Sequence, residues 1–155
     1  MNDRQLKVKR ALITGATGYI GSNLARRLLA EGWVVDVVVR PSSICKLLDV
    51  VRSSITVHYH DGTSSGMVSI LRITKPDVVF HLASLVYGLK GNLENQLKSI
   101  HQNTQINLNI LNACANYSIK KIFFAGTVAS YPFPYPSLPL EEKFFLDGEP
   151  HAGEY

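Results

Sequence analysis

Three glycines at a constant interval are the residues in this chain whose spacing points most directly to chemistry. They lie in TGATGYIG, residues 14–21, between a β-branched run and a stretch with apolar residues at helical spacing. Gly15 suits the sharp turn out of a strand. Gly18 removes a Cβ that would collide with an approaching pyrophosphate, and Gly21 lets the next helix pack closely against a sheet. The helix start adds unpaired N–H groups and a partial positive charge of about half a unit. Thr17 adds a hydroxyl donor. The pattern predicts a diphosphate-binding turn, the alternative being a tight strand–helix turn with no ligand. Cys45 and Cys114 have neither metal-ligand spacing nor a disulfide framework and read as small buried hydrophobes, so no metal site is expected.

The elements that must hold this turn follow from periodicity. Residues 8–14 read as a first strand. Residues 18–31 read as a helix with Ile20, Leu24, Leu28 and Leu29 at apolar positions, closed by Gly32. The valine-rich run 33–39 suits a strand covered on both faces. Residues 43–51 predict a short helix and 55–59 a third strand. A helix over 65–74 stops before Pro76, and 77–82 is a fourth strand. A long helix over 93–117 carries Leu97, Ile100, Ile106, Ile110, Leu111 and Ala113 as apolar positions, and 121–125 is a fifth strand. Residues 130–139 hold four prolines and two tyrosines, which predicts an irregular loop. Parallel strands need crossovers, so this alternation predicts an α/β fold: a Rossmann-type, doubly wound parallel sheet in the order 3-2-1-4-5. At 155 residues and 46% hydrophobic content the chain is expected to be one domain, 1–155.

With its GxxGxxG spacing, TGATGYIG resembles the extended short-chain dehydrogenase/reductase family of sugar-nucleotide epimerases, dehydratases and reductases. The likeness continues along essentially the whole chain. It implies a bound NAD(H) or NADP(H), with Gly15, Thr17, Gly18, Tyr19, Ile20 and Gly21 among the cofactor-binding residues. Asp61-Gly62 resembles the family's acidic residue that accepts from the adenine amino group, followed by a residue touching the ring through its backbone; the alternative is a simple Asp-Gly turn. Leu82, Ala83 and Ser84, after His81, are similar to the family's H-x-A-A segment, with His81 itself read as a strand residue. Asn103 resembles the asparagine that steadies the active site, and Asn109-Ile110-Leu111 the segment that follows it. Between them, Ile106 and Asn107 depart from the glycine and threonine that relatives commonly carry.

In NAD-preferring relatives an acidic residue ends the second strand. Here Val39 stands there, followed by Arg40, while Asp36 lies too early in the strand to reach the ribose. A guanidinium can pair with a 2′-phosphate, so Arg40 tips the expectation from NAD toward NADP. The resemblance also places a catalytic hydroxyl at Thr127, with matching spacing to Tyr131, and makes Tyr155 a candidate for the acid/base tyrosine of a YxxxK motif. In that motif the lysine's charge lowers the phenol pKa. A lysine four places beyond Tyr155 falls outside this sequence. The chain is therefore expected to be a fragment truncated before the substrate-binding part, and inactive as it stands. Ala129 replaces a cysteine that fucose synthases use in epimerisation, which argues against a 3,5-epimerase role. The expected substrate is a nucleotide sugar; the alternatives are an NADP-dependent carbonyl reductase and a non-catalytic dinucleotide sensor.

Composition excludes other classes. Six of the 16 Lys and Arg residues, Arg4, Lys7, Lys9, Arg10, Arg26 and Arg27, surround the first strand–helix unit, and the formal net charge is +4. No basic stripe interleaved with aromatics is present, so a nucleic-acid partner is not expected. The absence of an apolar run of membrane length or of a signal sequence predicts a cytoplasmic protein without membrane contact. The long helix is one surface through which a homodimer could form.

Overall fold

A computed structural model describes residues 8–149. Five strands, β1 (Arg10–Thr14), β2 (Val34–Val39), β3 (Thr56–Tyr59), β4 (Val78–His81) and β5 (Ile122–Phe124), form one sheet in the order β3-β2-β1-β4-β5. Every pairing is parallel, with Leu12 opposite Asp36 and Val79, and Val38 opposite His58. The predicted topology is the observed one.

Side-chain alternation along each strand divides the core between two faces. Ala11 and Ile13 of β1 point with Val35, Val37 and Val39 of β2 toward α1 (Tyr19–Ala30), where Ala25 and Leu28 meet them. Leu48, fully buried in a 3-10 turn at Lys46–Val51, completes that layer. On the opposite face Leu12, Val38 and Val79 pack against Met67, Ile70 and Leu71 of α2 (Ser64–Thr74) and Ile110, Ala113 and Cys114 of the last helix. Strands covered on both sides explain why five of the six residues of β2 are valine.

Gly32 (φ +79°) ends α1 as expected. Its N–H donates to the Leu29 carbonyl at 2.9 Å and the Trp33 N–H donates to Leu28 at 3.0 Å, which satisfies the last helical carbonyls.

The predicted helix over 93–117 is two helices, α3 (Gly88–Glu94) and α4 (Gln96–Asn116). Asn95 separates them with a non-helical backbone, and its side-chain amide donates to the Gly91 carbonyl at 2.8 Å. An asparagine side chain that bonds nearby backbone competes with helix continuation. Leu97, Ile100 and Leu111, assigned above to the apolar face, are 85%, 67% and 42% exposed. Only the later turns of α4, from Asn109 to Cys114, lie over the core, so helical spacing alone misassigns the first turns. Ile20 is likewise exposed, because it sits in the first turn of α1 ahead of the buried Ser22 and Ala25. Cys114 is buried as expected, whereas Cys45 is only half-buried.

Candidate functional site

The strand order reverses between β1 and β4, and the crevice that opens at their carboxyl ends is where parallel α/β sheets bind ligands. Here it is a cleft open to solvent. The glycine turn forms its floor. Gly15 has φ +71°, and a Cβ there would lie 2.6 Å from the Leu82 carbonyl carbon, so only glycine lets the loop rest on the end of β4. The Gly15 carbonyl accepts the Gly18 N–H at 3.1 Å, and the Gly18 carbonyl accepts the Ser22 N–H at 3.0 Å.

The three glycines separate into two roles. A Cβ on Gly21 would overlap the Gly15 carbonyl oxygen and lie 2.7 Å from Ala16 Cα. The close approach that Gly21 permits is therefore to the turn itself rather than to the sheet. A Cβ on Gly18 would meet only the Gly15 oxygen, at 3.4 Å. Gly18 has ordinary extended dihedrals, φ −81° and ψ 171°, and lines the cleft. No element of the fold requires a glycine there, and the space that a Cβ would take belongs to the cleft. No side chain caps α1, which leaves the N–H groups of its first turn for a ligand. This corner fits a dinucleotide diphosphate: bare amides, a favourable dipole and no Cβ in the way.

Along the cleft two strand-end residues and one from α4 are tied together. Asn107 Oδ1 accepts from His81 Nε2 at 3.0 Å, which leaves His81 Nδ1 to accept the Thr14 hydroxyl at 2.7 Å. The Thr14 oxygen in turn accepts the Ala83 N–H at 3.3 Å. Burial pushes the His81 pKa below its ordinary 6.5, an effect that the bond to Asn107 partly offsets. His81 is thus a strand residue whose neutral ring connects β1, β4 and α4. Asn107, a departure from the family pattern, supplies its partner. Asn103 lies one helical turn earlier: its Oδ1 accepts the Leu85 N–H at 2.7 Å and its Nδ2 donates to the Leu85 carbonyl at 3.1 Å, pinning the segment after β4.

The far end of the cleft is polar. Arg40 directly follows β2 and lines it together with Ser43, whose N–H donates to the Arg40 carbonyl at 2.9 Å. Asp61 and Gly62 follow β3. The Thr63 N–H, at 3.0 Å from Asp61 Oδ1, holds the Asp61 carboxyl below its ordinary pKa, with the nearby His60 adding to the effect. Asp36 is buried within β2, accepting from His58 Nε2 at 2.8 Å with Arg10 at 3.7 Å, so it is committed to the sheet.

The fold therefore brings Gly15, Thr17, Gly18, Arg40, Asp61 and Gly62 to one cleft, together with Leu82, Ala83 and Ser84. Tyr19 and Ile20 turn their side chains to solvent, and only their backbone belongs to the turn. Asn103 reaches the cleft through Leu85 rather than lining it. Thr127, exposed just after β5, also does not line it. Tyr155 lies outside the described residues. Sequence reasoning missed His60, Met67, Gln102 and Ile106 as lining residues. Their only local signal was a place immediately after β3 or on the cleft-facing side of α2 and α4.

Known proteins share this fold. The profile of the NAD dependent epimerase/dehydratase family matches residues 11–153. GDP-L-colitose synthase of Yersinia pseudotuberculosis is 29% identical over 90% of this chain, which spans 40% of that protein's length. GDP-mannose 3,5-epimerase 1 of Oryza sativa subsp. indica is 32% identical over 79% of this chain, which spans 32% of it. The UDP-glucose 4-epimerase of Thermus thermophilus, solved in complex with NAD, superposes with a TM-score of 0.74 at 26% identity, over 91% of this chain and 44% of that one. The match runs from β1 through the glycine turn and the whole five-stranded sheet, and on that evidence the chain belongs to the NAD dependent epimerase/dehydratase family.

Proposed function

We propose that this chain is the cofactor-binding part of an enzyme that acts on a nucleotide sugar by hydride transfer. The observation that carries the reading is the free volume above Gly18, at the start of an uncapped helix and at the switch point of the sheet. When bound, the nicotinamide accepts and returns a hydride. The chain's residues then have separate tasks. The backbone of Gly15, Gly18, Tyr19, Ile20 and Gly21, with the Thr17 hydroxyl, holds the diphosphate. Asp61 accepts from the adenine amino group and Gly62 lies along the ring. Leu82, Ala83 and Ser84 line the path toward the nicotinamide ribose, kept in place by the Thr14–His81–Asn107 chain and by Asn103. Thr127 hydrogen-bonds the sugar oxygen undergoing oxidation or reduction, and Tyr155 is the acid/base candidate.

Arg40 supports NADP over NAD, because a guanidinium beside the adenosine ribose attracts a 2′-phosphate. Cys45 and Cys114, both free thiols, suit a reducing cytoplasmic setting. The exposed Leu97, Ile100, Leu108 and Leu111 of α4 support self-association through that helix. The polypeptide of 155 residues is proposed to bind a nicotinamide dinucleotide. Titrating it with NADPH and NADH, followed by nicotinamide fluorescence, tests the reading. Saturable binding of both is expected, with NADPH tighter by about tenfold, the effect of one added charged contact. No binding of either would overturn the function, and tighter NADH binding would overturn the role of Arg40.

A further inference from the structure

The Asp61-Gly62 segment is held from two sides, by His60 and by Asn109. Gly62 has φ +87°, and both of its backbone polar groups are engaged. Its N–H donates to His60 Nδ1 at 2.9 Å, and its carbonyl accepts from Asn109 Nδ2 at 2.8 Å. Asn109 is 47 residues away on α4 and 8% exposed. Its amide is oriented in turn, because Gln105 Nε2 donates to Asn109 Oδ1 at 2.9 Å, which commits Nδ2 to Gly62. His60 is anchored as well. Its N–H continues the sheet by donating to the Val39 carbonyl at 2.8 Å, and its ring occupies the place where Gly66 would carry a Cβ. The packing of α2 against the loop thus depends on a glycine that admits an imidazole.

The loop so fixed carries a carboxylate at the cleft wall. Asp61 Oδ1 accepts from the Thr63 N–H at 3.0 Å, and the residue lines the cleft. A short loop with a positive-φ glycine would otherwise sample several positions. Two hydrogen bonds to the backbone of the residue next to Asp61 restrict where its carboxylate points.

We infer that Asn109, oriented by Gln105, and His60 are positioning residues that set adenine selectivity by holding Asp61 and Gly62 at the base-binding end of the cleft. The inference rests on the dinucleotide reading above. It assigns these side chains no contact with the cofactor.

The test compares two probes on the full 155-residue chain: NADH and its hypoxanthine counterpart, which lacks the amino group that Asp61 would accept from. The unsubstituted chain is expected to prefer NADH by about tenfold, the worth of one hydrogen bond to a charged group. Asn109→Ala is expected to bring the two affinities within about twofold of each other by weakening NADH alone. His60→Ala and Gln105→Ala are expected to move the ratio the same way, Gln105→Ala least because it only frees the amide to rotate. Gln105→Ala also keeps the test decisive if Asn109→Ala does not fold. Thermal melting of each variant separates a loss of fold from a loss of selectivity. Failure of the unsubstituted chain to bind either probe would overturn both the dinucleotide reading and the inference. Binding without a preference, or a preference that the variants leave intact, would overturn the inference alone. An equal loss of both probes in a folded variant would show general structural support rather than adenine positioning, and would also overturn it.

Discussion

Replacing Gly18 by alanine should separate ligand binding from folding, which the same change at Gly15 or Gly21 cannot do. At Gly18 the backbone is already in a conformation any residue adopts, and the new methyl would touch only the Gly15 oxygen, at 3.4 Å. Alanine is a poorer helix N-cap than glycine by about 0.5–1 kcal/mol. Lower entropy of the unfolded chain returns about 0.4–1 kcal/mol. The net change in stability is expected within about 0.5 kcal/mol, a melting shift of about 2 °C or less for a domain of this size. Binding should respond differently, because the methyl stands where a diphosphate must approach the amides. Displacing that group strains or breaks a charge-assisted hydrogen bond, a loss of about 2–3 kcal/mol, or roughly 30- to 150-fold in affinity. Gly15→Ala combines a left-handed penalty of about 1–2 kcal/mol with overlap against the rigid end of β4, about 1–3 kcal/mol more. Its melting temperature should therefore fall on the order of 10 °C. Gly21→Ala should behave similarly, since its methyl meets backbone at 2.7 Å. The assay is thermal melting alongside NADPH titration for all three variants. Unchanged affinity in a folded Gly18→Ala protein would refute the placement of the diphosphate, and a collapse of its stability would refute the claim that the fold does not need this glycine.

Removing the Arg40 guanidinium with Arg40→Ala should weaken NADPH about tenfold and leave NADH within about twofold, measured by the same titration; an equal loss of both would assign Arg40 to stacking on the base. The depressed pKa of His81 carries a definite sign: the folded protein holds the ring neutral where the unfolded chain already takes up a proton. The corresponding stability is complete above about pH 6.5 and declines as pH falls toward the folded pKa. A proton on Nδ1 also stops the Thr14 hydroxyl from donating to it. The melting-temperature advantage of the parent over His81→Gln should therefore shrink between pH 7.5 and 5.5; a constant or growing advantage would contradict the assignment. Leu71 of α2 is fully buried in the layer it shares with β1 and α4, so Leu71→Ala should cost about 2–5 kcal/mol in chemical denaturation, and a cost below about 1 kcal/mol would mean that this layer is loosely packed.

The parts of the site that could be read in advance are those specified by neighbours in sequence. Glycines at 15, 18 and 21, placed between a strand pattern and a helix pattern, identify a turn because left-handed dihedrals and bare amides are local properties. Arg40, Asp61 and Gly62 were visible for the same reason, each standing within a few residues of the end of a strand. The contacts of His60 and Asn109 with Gly62 were not, because nothing near residue 62 indicates which turn of a helix 47 residues later will face it. The same limit made Leu97 and Ile100 look like core, since a helical stripe shows which residues share a side but not where the supporting sheet stops.

Residue order alone determined the alternation of strands and helices and, through the handedness of parallel crossovers, the sheet order. Both depend on backbone sterics and hydrophobic period, which act over a few residues at a time. Packing decided the rest: that Gly21 relieves the turn rather than the sheet, that Asn107 completes a chain through His81 to Thr14, and that α4 covers the core only from its middle onward. Those outcomes depend on distances between segments far apart in the chain, and such distances exist only once both faces of the sheet have been covered.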